Sequence, residues 1–243
     1  MDFTQFLPYC ADLYSASSLD ELVTSFDRVI KHFGLDRHCL FEISSVETAW
    51  QEQLIIGTFP DGYLSDFWRE QRAFDSVIIR QVKLSGVPFL TADLHQNYDL
   101  TTKERDVESK AQDAGIFVGI TFPLKGRHNR IAGVVITGDP AVLGEQEKWI
   151  LTCIIAGYYS RACVLYEMTN PKINDVTKYA LTKRERECLT FVAMGKADRE
   201  VAEMLNISER TVIFHVNNAK NKLGTNTRLQ AVLMALRNVE IFL

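Results

Sequence analysis

Several features that would mark a catalyst, a metalloprotein or a membrane protein are missing from this chain. Its five cysteines (Cys10, Cys39, Cys153, Cys163 and Cys188) include no pair at the short spacing of a zinc knuckle or redox motif. His32, His38, His95, His128 and His215 have no ligand spacing with these thiols, so no metal site is expected and the cysteines are read as reduced. There is no glycine-rich phosphate loop, no Gly-x-Ser-x-Gly elbow and no paired-carboxylate motif. We therefore assign no catalytic residue and expect no cofactor. His38 and Cys39 are adjacent, but neighbours on a strand point to opposite faces, which argues against a Cys-His nucleophile. Residues Met1 to Ala16 lack a basic stretch followed by an apolar run, so no signal peptide and a cytoplasmic location are expected. The most apolar segment, Ile150 to Leu165, is shorter than the roughly 20 residues needed to cross a bilayer and contains Arg161. No internal repeat or low-complexity tract is present.

What is present suits globular domains with real cores: 243 residues, 47% hydrophobic and only 24% charged. The net charge of −4 is unevenly spread. Residues 1–175 carry 16 basic and 24 acidic side chains, and residues 176–243 carry 11 and 7. A positive C-terminal part on an acidic body fits phosphate attraction confined to one end. The polar run at 170–178, opened by Pro171, reads as a linker between domains over 1–169 and 179–243.

The stretch Leu181 to Arg228 concentrates the most information. Thr182 and Glu185 have capping-box spacing, and the helix they open should bury Leu189, Val192 and Ala193 and stop at Gly195. Asp198 is expected to cap a second helix burying Val201, Ala202 and Leu205, and Ser208 a third. Such a unit is a helix-turn-helix. On the third helix Val212, Val216, Ala219 and Leu223 share one stripe. The opposite face holds Arg210, Phe214, Asn217, Asn218 and Asn221, joined at its edges by Thr211, Ile213, Lys220, Lys222 and, beyond the helix, Arg228. Amides pair bidentately with adenine, aromatics touch thymine methyls, and lysines at the flanks meet phosphates. A solvated helix face normally mixes Glu with Lys, whereas this one has no acid after Glu209. The expected partner is double-stranded DNA.

The run Leu181-Thr182-Lys183-Arg184-Glu185, followed by Leu189, Ala193, Gly195, Glu200, Ala202, Leu205, Ile207-Ser208, Thr211-Val212, His215, Asn218, Lys222-Leu223 and Arg228, resembles the DNA-binding domain of LuxR-type regulators. By that resemblance Ser208 to Leu223 is the recognition helix. Ile213 and Asn217 stand where several relatives place basic residues, which implies a different target sequence.

The N-terminal part reads as helices from Asp2 to Tyr14 and from Ser18, which faces Glu21 in a second capping box, to Gly34. Strands are expected at His38–Ile43, Gln53–Phe59, Val87–Thr91, Val118–Leu124 and Ile131–Thr137, the last two joined by a loop over Gly126–Arg130. Thr101 caps a helix ending at Gly115, and a final helix spans Gly144 to Met168. The fold class is an α/β/α sandwich on an antiparallel sheet, followed by an all-α helix-turn-helix domain. Ile150, Ile154, Tyr158 and Arg161 form one stripe of the final helix and are candidates for a homodimer seam, although core packing explains most of them equally well.

LuxR-type N-terminal domains bind a small diffusible signal, commonly an N-acyl homoserine lactone. Here the resemblance rests on Phe59-Pro60, Tyr63, Phe67 and Asp75, and on the run Ala114 to Leu124. Read without the family, Tyr63 and Phe67 share one helix face with Phe59 and Trp68 nearby, and Asp75 is either a ligand anchor or a helix cap paired with Arg72 or Arg80. The family implies a signal site of Phe59, Tyr63, Phe67, Asp75, Phe89, Gly119 and Val135. Phe59 has no hydroxyl where the family has a tyrosine, Tyr63 replaces its tryptophan, Phe67 its next tyrosine, and Ser76 its proline. The aromatic expected after Pro88 is met by Phe89 or falls at Thr91. Each lost buried donor costs about 1–3 kcal/mol, so the expected signal is not a standard homoserine lactone. The alternatives are a LuxR-type regulator or antagonist that folds and dimerises without signal, which a core without spare volume would favour, or a receiver or enzyme fused to the DNA-binding unit. A receiver needs acids after a first strand, and Asp2, Asp12 and Asp20-Glu21 lie on helical patterns instead.

Overall fold

The computed structural model describes residues 3–43, 53–117, 119–127, 130–170 and 180–242. Beyond Asn170 the expected linker lies outside these residues. The chain divides into two compact units, one of residues 1–126 and 130–170, the other of 127–129 and 171–243.

The first unit opens with a 3₁₀ turn at Phe3–Phe6 and helix α1 at Leu7–Ser15. The α-helix starts later than the sequence pattern suggested because Pro8, which lacks an N–H, belongs in a first turn. Helix α2, Leu19–His32, is capped by Ser18, whose hydroxyl accepts from Glu21 N–H. The return half of the capping box is displaced by one residue, with the Glu21 carboxylate accepting from the backbone and hydroxyl of Ser17. Strands β1 (Leu35–Ile43) and β2 (Leu54–Gly57) follow, then helices α3 (Asp61–Arg69) and α4 (Val77–Leu84). Strand β3 is only Phe89–Leu90, because Thr91, expected in the strand, instead opens helix α5 (Thr91–Asn97). Helix α6, Thr102–Asp113, carries a complete Thr101–Glu104 capping box. Strands β4 (Gly119–Lys125) and β5 (Ile131–Gly138) precede the long helix α7, Glu145–Thr169.

The sheet runs β2-β1-β5-β4-β3, antiparallel throughout. Alternation on β1 sends His38 and Leu40 to one face and Cys39 and Phe41 to the other, and all four are buried because both faces are covered. On the first face α2 and α7 pack with α1, and Phe26 stacks on Tyr158 at 4.1 Å between centroids. Helices α3, α4 and α6 border the second face. Gly119 permits the close β4–β5 approach, since a Cβ there would stand 2.0 Å from the Ile136 carbonyl oxygen.

Helix α7 is 25 residues, long and apolar enough to cross a membrane by length and composition, which corrects the expectation drawn from its central segment. Its Leu151, Ile155 and Tyr158 are fully buried against the sheet layer. The seam candidates are corrected in the same way. Ile150, Ile154 and Tyr158 are core residues, and the Arg161 guanidinium donates to the Ala16 carbonyl at 2.6 and 3.0 Å.

The second unit contains helices α8 (Lys183–Ala193), α9 (Asp198–Leu205), α10 (Glu209–Lys222) and α11 (Arg228–Arg237). Cys188, Leu189, Val201, Val212, Ala219, Ala231 and Ala235 form the centre of its core.

Candidate ligand cavity and nucleic-acid interface

A largely apolar cavity of about 120 Å³ lies between the second sheet face and helices α3, α4 and α6. The sheet contributes Cys39, Phe41, Ile43, Ile55 and Val135; α3 contributes Tyr63, Leu64, Phe67 and Trp68; Phe59 closes the wall before that helix. Tyr63 and Phe67, one helical turn apart, place their rings 5.9 Å from each other. Polar groups on the wall are few: Tyr63, Trp68, Ser76, Thr91, Glu108 and Gln112.

Four of the seven expected signal-site residues therefore meet: Phe59, Tyr63, Phe67 and Val135 line the cavity. Asp75, Phe89 and Gly119 are not among its lining residues. Asp75 is half-buried at the end of a 3₁₀ turn, with Lys103 3.8 Å away, while Arg72 pairs with Glu70 and Arg80 with Glu104. Thr91, not Phe89, supplies the side chain after Pro88 that reaches the wall. Sequence reasoning missed Glu108 and Gln112, which α6 presents one turn apart; the i, i+4 spacing beside Val107 and Ala111 was the available signal. Burial pushes the Cys39 thiol up to about 12, which keeps it protonated and poorly nucleophilic. Burial likewise raises Tyr63 to about 12, against the nearby Arg72 charge, so its hydroxyl is a neutral donor and acceptor.

In the second unit, the Thr182 hydroxyl accepts from Glu185 N–H while the Glu185 carboxylate accepts from Thr182 N–H at 2.7 Å. Gly195 ends the turn after α8 at φ +81°, a conformation that favours glycine. Asp198 does not cap α9. Ala197 holds the N-cap position, Glu200 accepts its N–H at 2.8 Å, and Asp198 pairs with Arg228 at 3.0 Å. The Ser208 hydroxyl accepts from Thr211 N–H and caps α10. Val212, Val216, Ala219 and Leu223 are buried, whereas Arg210, Ile213, Phe214, Asn217 and Asn221 are exposed and Thr211, Asn218 and Lys220 half-buried. Two expected phosphate contacts are engaged inside the domain: Arg228 with Asp198, and Lys222 with buried Glu185 at 2.8 Å. Burial pushes the Glu185 carboxyl up, but Lys222 and the Thr182 donors outweigh it and hold it below the usual range.

This domain pair has clear relatives. Residues 18–155 match the autoinducer binding domain and residues 179–235 the family described as bacterial regulatory proteins, luxR family. The chain belongs to the LuxR family. These are regulatory proteins rather than enzymes, and the similar proteins are named accordingly. The HTH-type transcriptional regulator y4qH of Sinorhizobium fredii is 30% identical over 190 residues, 73% of this chain and 54% of its own length. The transcriptional activator AhyR of Aeromonas hydrophila is 25% identical over 231 residues, 94% of this chain and 88% of its own. This chain thus spans about half the length of the first relative and most of the second. Escherichia coli SdiA has the same fold, with TM-score 0.65, 17% identity and 99% of both chains covered; another SdiA structure, covering 98% of this chain and 96% of its own with TM-score 0.64 and 17% identity, is of its complex with octanoyl-rac-glycerol.

Proposed function

We propose that this LuxR-family protein is a transcriptional regulator that binds double-stranded DNA as a homodimer, under the control of a small apolar signal other than a standard N-acyl homoserine lactone. The observation that carries the reading is the empty space in the cavity, walled by Phe41, Phe59, Tyr63, Phe67 and Trp68. A regulator that folds without a signal would fill that space with its own side chains, since packed interiors leave few voids. The wall offers apolar area for an acyl chain, and no hydroxyl at Phe59 for an acyl carbonyl. Octanoyl-rac-glycerol, present in the SdiA complex, is an acyl ligand without a lactone.

The DNA-facing set is Arg210, Thr211, Ile213, Phe214, Asn217, Asn218, Lys220 and Asn221, with Lys222 and Arg228 holding the domain together. Two copies raise affinity through effective concentration on paired half-sites. The dimer seam is the outer face of α7, where Trp149, Val164 and Met168 are 70%, 40% and 71% exposed. Equilibrium binding to a duplex selected from a random library tests both assignments. Asn217→Ala with Asn218→Ala should abolish discrimination against scrambled duplex while leaving the fold intact, and Trp149→Glu should shift the protein to monomer in sedimentation and weaken binding at least tenfold. Normal discrimination or an intact dimer would overturn the respective assignment.

A further inference from the structure

Glu108 and Gln112 line two spaces at once. They stand on the wall of the apolar cavity, and they also border a separate polar groove formed with Tyr98, Asp99, Arg105 and Ser109. The groove is open to solvent and holds about 380 Å³. Gln112 is exposed and Glu108 half-buried, so the boundary between cavity and groove consists of two long polar side chains at i and i+4 on α6. Such side chains change rotamer without disturbing the backbone, whereas the sheet side of the cavity, at Cys39, Phe41, Ile43 and Val135, is packed core. Phe117, 66% exposed, borders the cavity but not the groove, and marks a different point on its rim.

We infer that the ligand is an amphiphile that crosses this boundary, its apolar chain in the cavity and a neutral, hydroxyl-rich head in the groove, passing between Glu108 and Gln112. This rests on the reading of the cavity as the signal site and adds where the polar end lies and how large it can be. A head seated in the groove meets hydroxyl, carboxylate, amide and guanidinium groups, which recognise a polyol in several orientations. A carboxylate head would face Asp99 and Glu108 together, which like-charge repulsion disfavours. Head size is then limited by the groove and not by the cavity.

The test compares 1-octanol with n-octyl β-D-glucoside, which share a chain and differ in a head too bulky to be buried with it. Both are titrated below the micellar range against the full chain by calorimetry. We expect both to bind wild type within about tenfold of one another, Ser109→Trp, which borders the groove and not the cavity, to weaken the glucoside at least tenfold while leaving octanol unchanged, and Phe117→Trp to leave the ratio of the two unchanged. Retained octanol binding shows that Ser109→Trp has folded. Octanol binding without the glucoside, or a glucoside affinity insensitive to Ser109→Trp, would overturn the crossing and leave the signal cavity standing. Failure of both probes on wild type, with a folded protein, would overturn the cavity reading and the inference with it.

Discussion

His38 shows how a single residue ties the sheet to its helical layer. Its Nε2 lies 3.0 Å from the Tyr158 hydroxyl, its ring meets Phe26 edge-on, and Nδ1 has no hydrogen-bond partner among the described residues. Burial holds its pKa down to about 4, against the raising influence of Asp27. The unfolded chain therefore binds a proton between pH 6.5 and 4 that the folded state refuses. Stability from this source is complete above the unfolded value and is lost as pH falls through the window, by about 3 kcal/mol in all. Urea titrations at pH 7 and pH 5 should show wild type losing more stability than His38→Gln. Equal losses would mean that His38 does not drive acid sensitivity. The His38 and Cys39 alternation was legible in the sequence, but that both would be buried was not, because it depends on helices covering each sheet face.

At the scale of elements, the helix-turn-helix was readable almost residue by residue. Its information is local: the Thr182–Glu185 box, the turn at Gly195, the Ser208 cap and the stripe of α10 all act within one or two turns. Asp198 escaped because its carboxylate is drawn to Arg228, thirty positions away in the sequence. Helix α4 was missed for a related reason: its short apolar run does not distinguish helix from strand until it packs on β4, and α5, with only Ala92 and Leu94 apolar, carries too little periodicity to be read at all. The same non-local effect sets Asp75 off the cavity wall and puts Glu108 and Gln112 on it. Ion pairing within the second unit also divides its cations into two classes. Arg210→Ala should reduce the salt dependence of DNA binding by about one unit of slope. Lys222→Ala should leave the slope unchanged and lower stability by about 1–3 kcal/mol, because it strips the buried Glu185 of its cation. Equal changes of slope in salt titrations of the two variants would place Lys222 on the phosphates after all.

Across the whole molecule, thermodynamic linkage couples a ligand-holding unit to a DNA-reading unit. A ligand at one hundred times its dissociation constant adds about 2.7 kcal/mol to the folded state, which favours any dimer that the folded α/β unit forms. The acidic N-terminal part, at 16 basic to 24 acidic side chains, is repelled by phosphate and leaves DNA contact to the C-terminal residues. The most direct measurement is a thermal-shift comparison of the full chain and its Asp75→Ala variant across homoserine lactones of several chain lengths and acyl ligands that lack a lactone. The expected result is a rise of several degrees with non-lactone acyl ligands, smaller shifts with the lactones, and no dependence on Asp75. A lactone-selective rise that Asp75→Ala abolishes would contradict it.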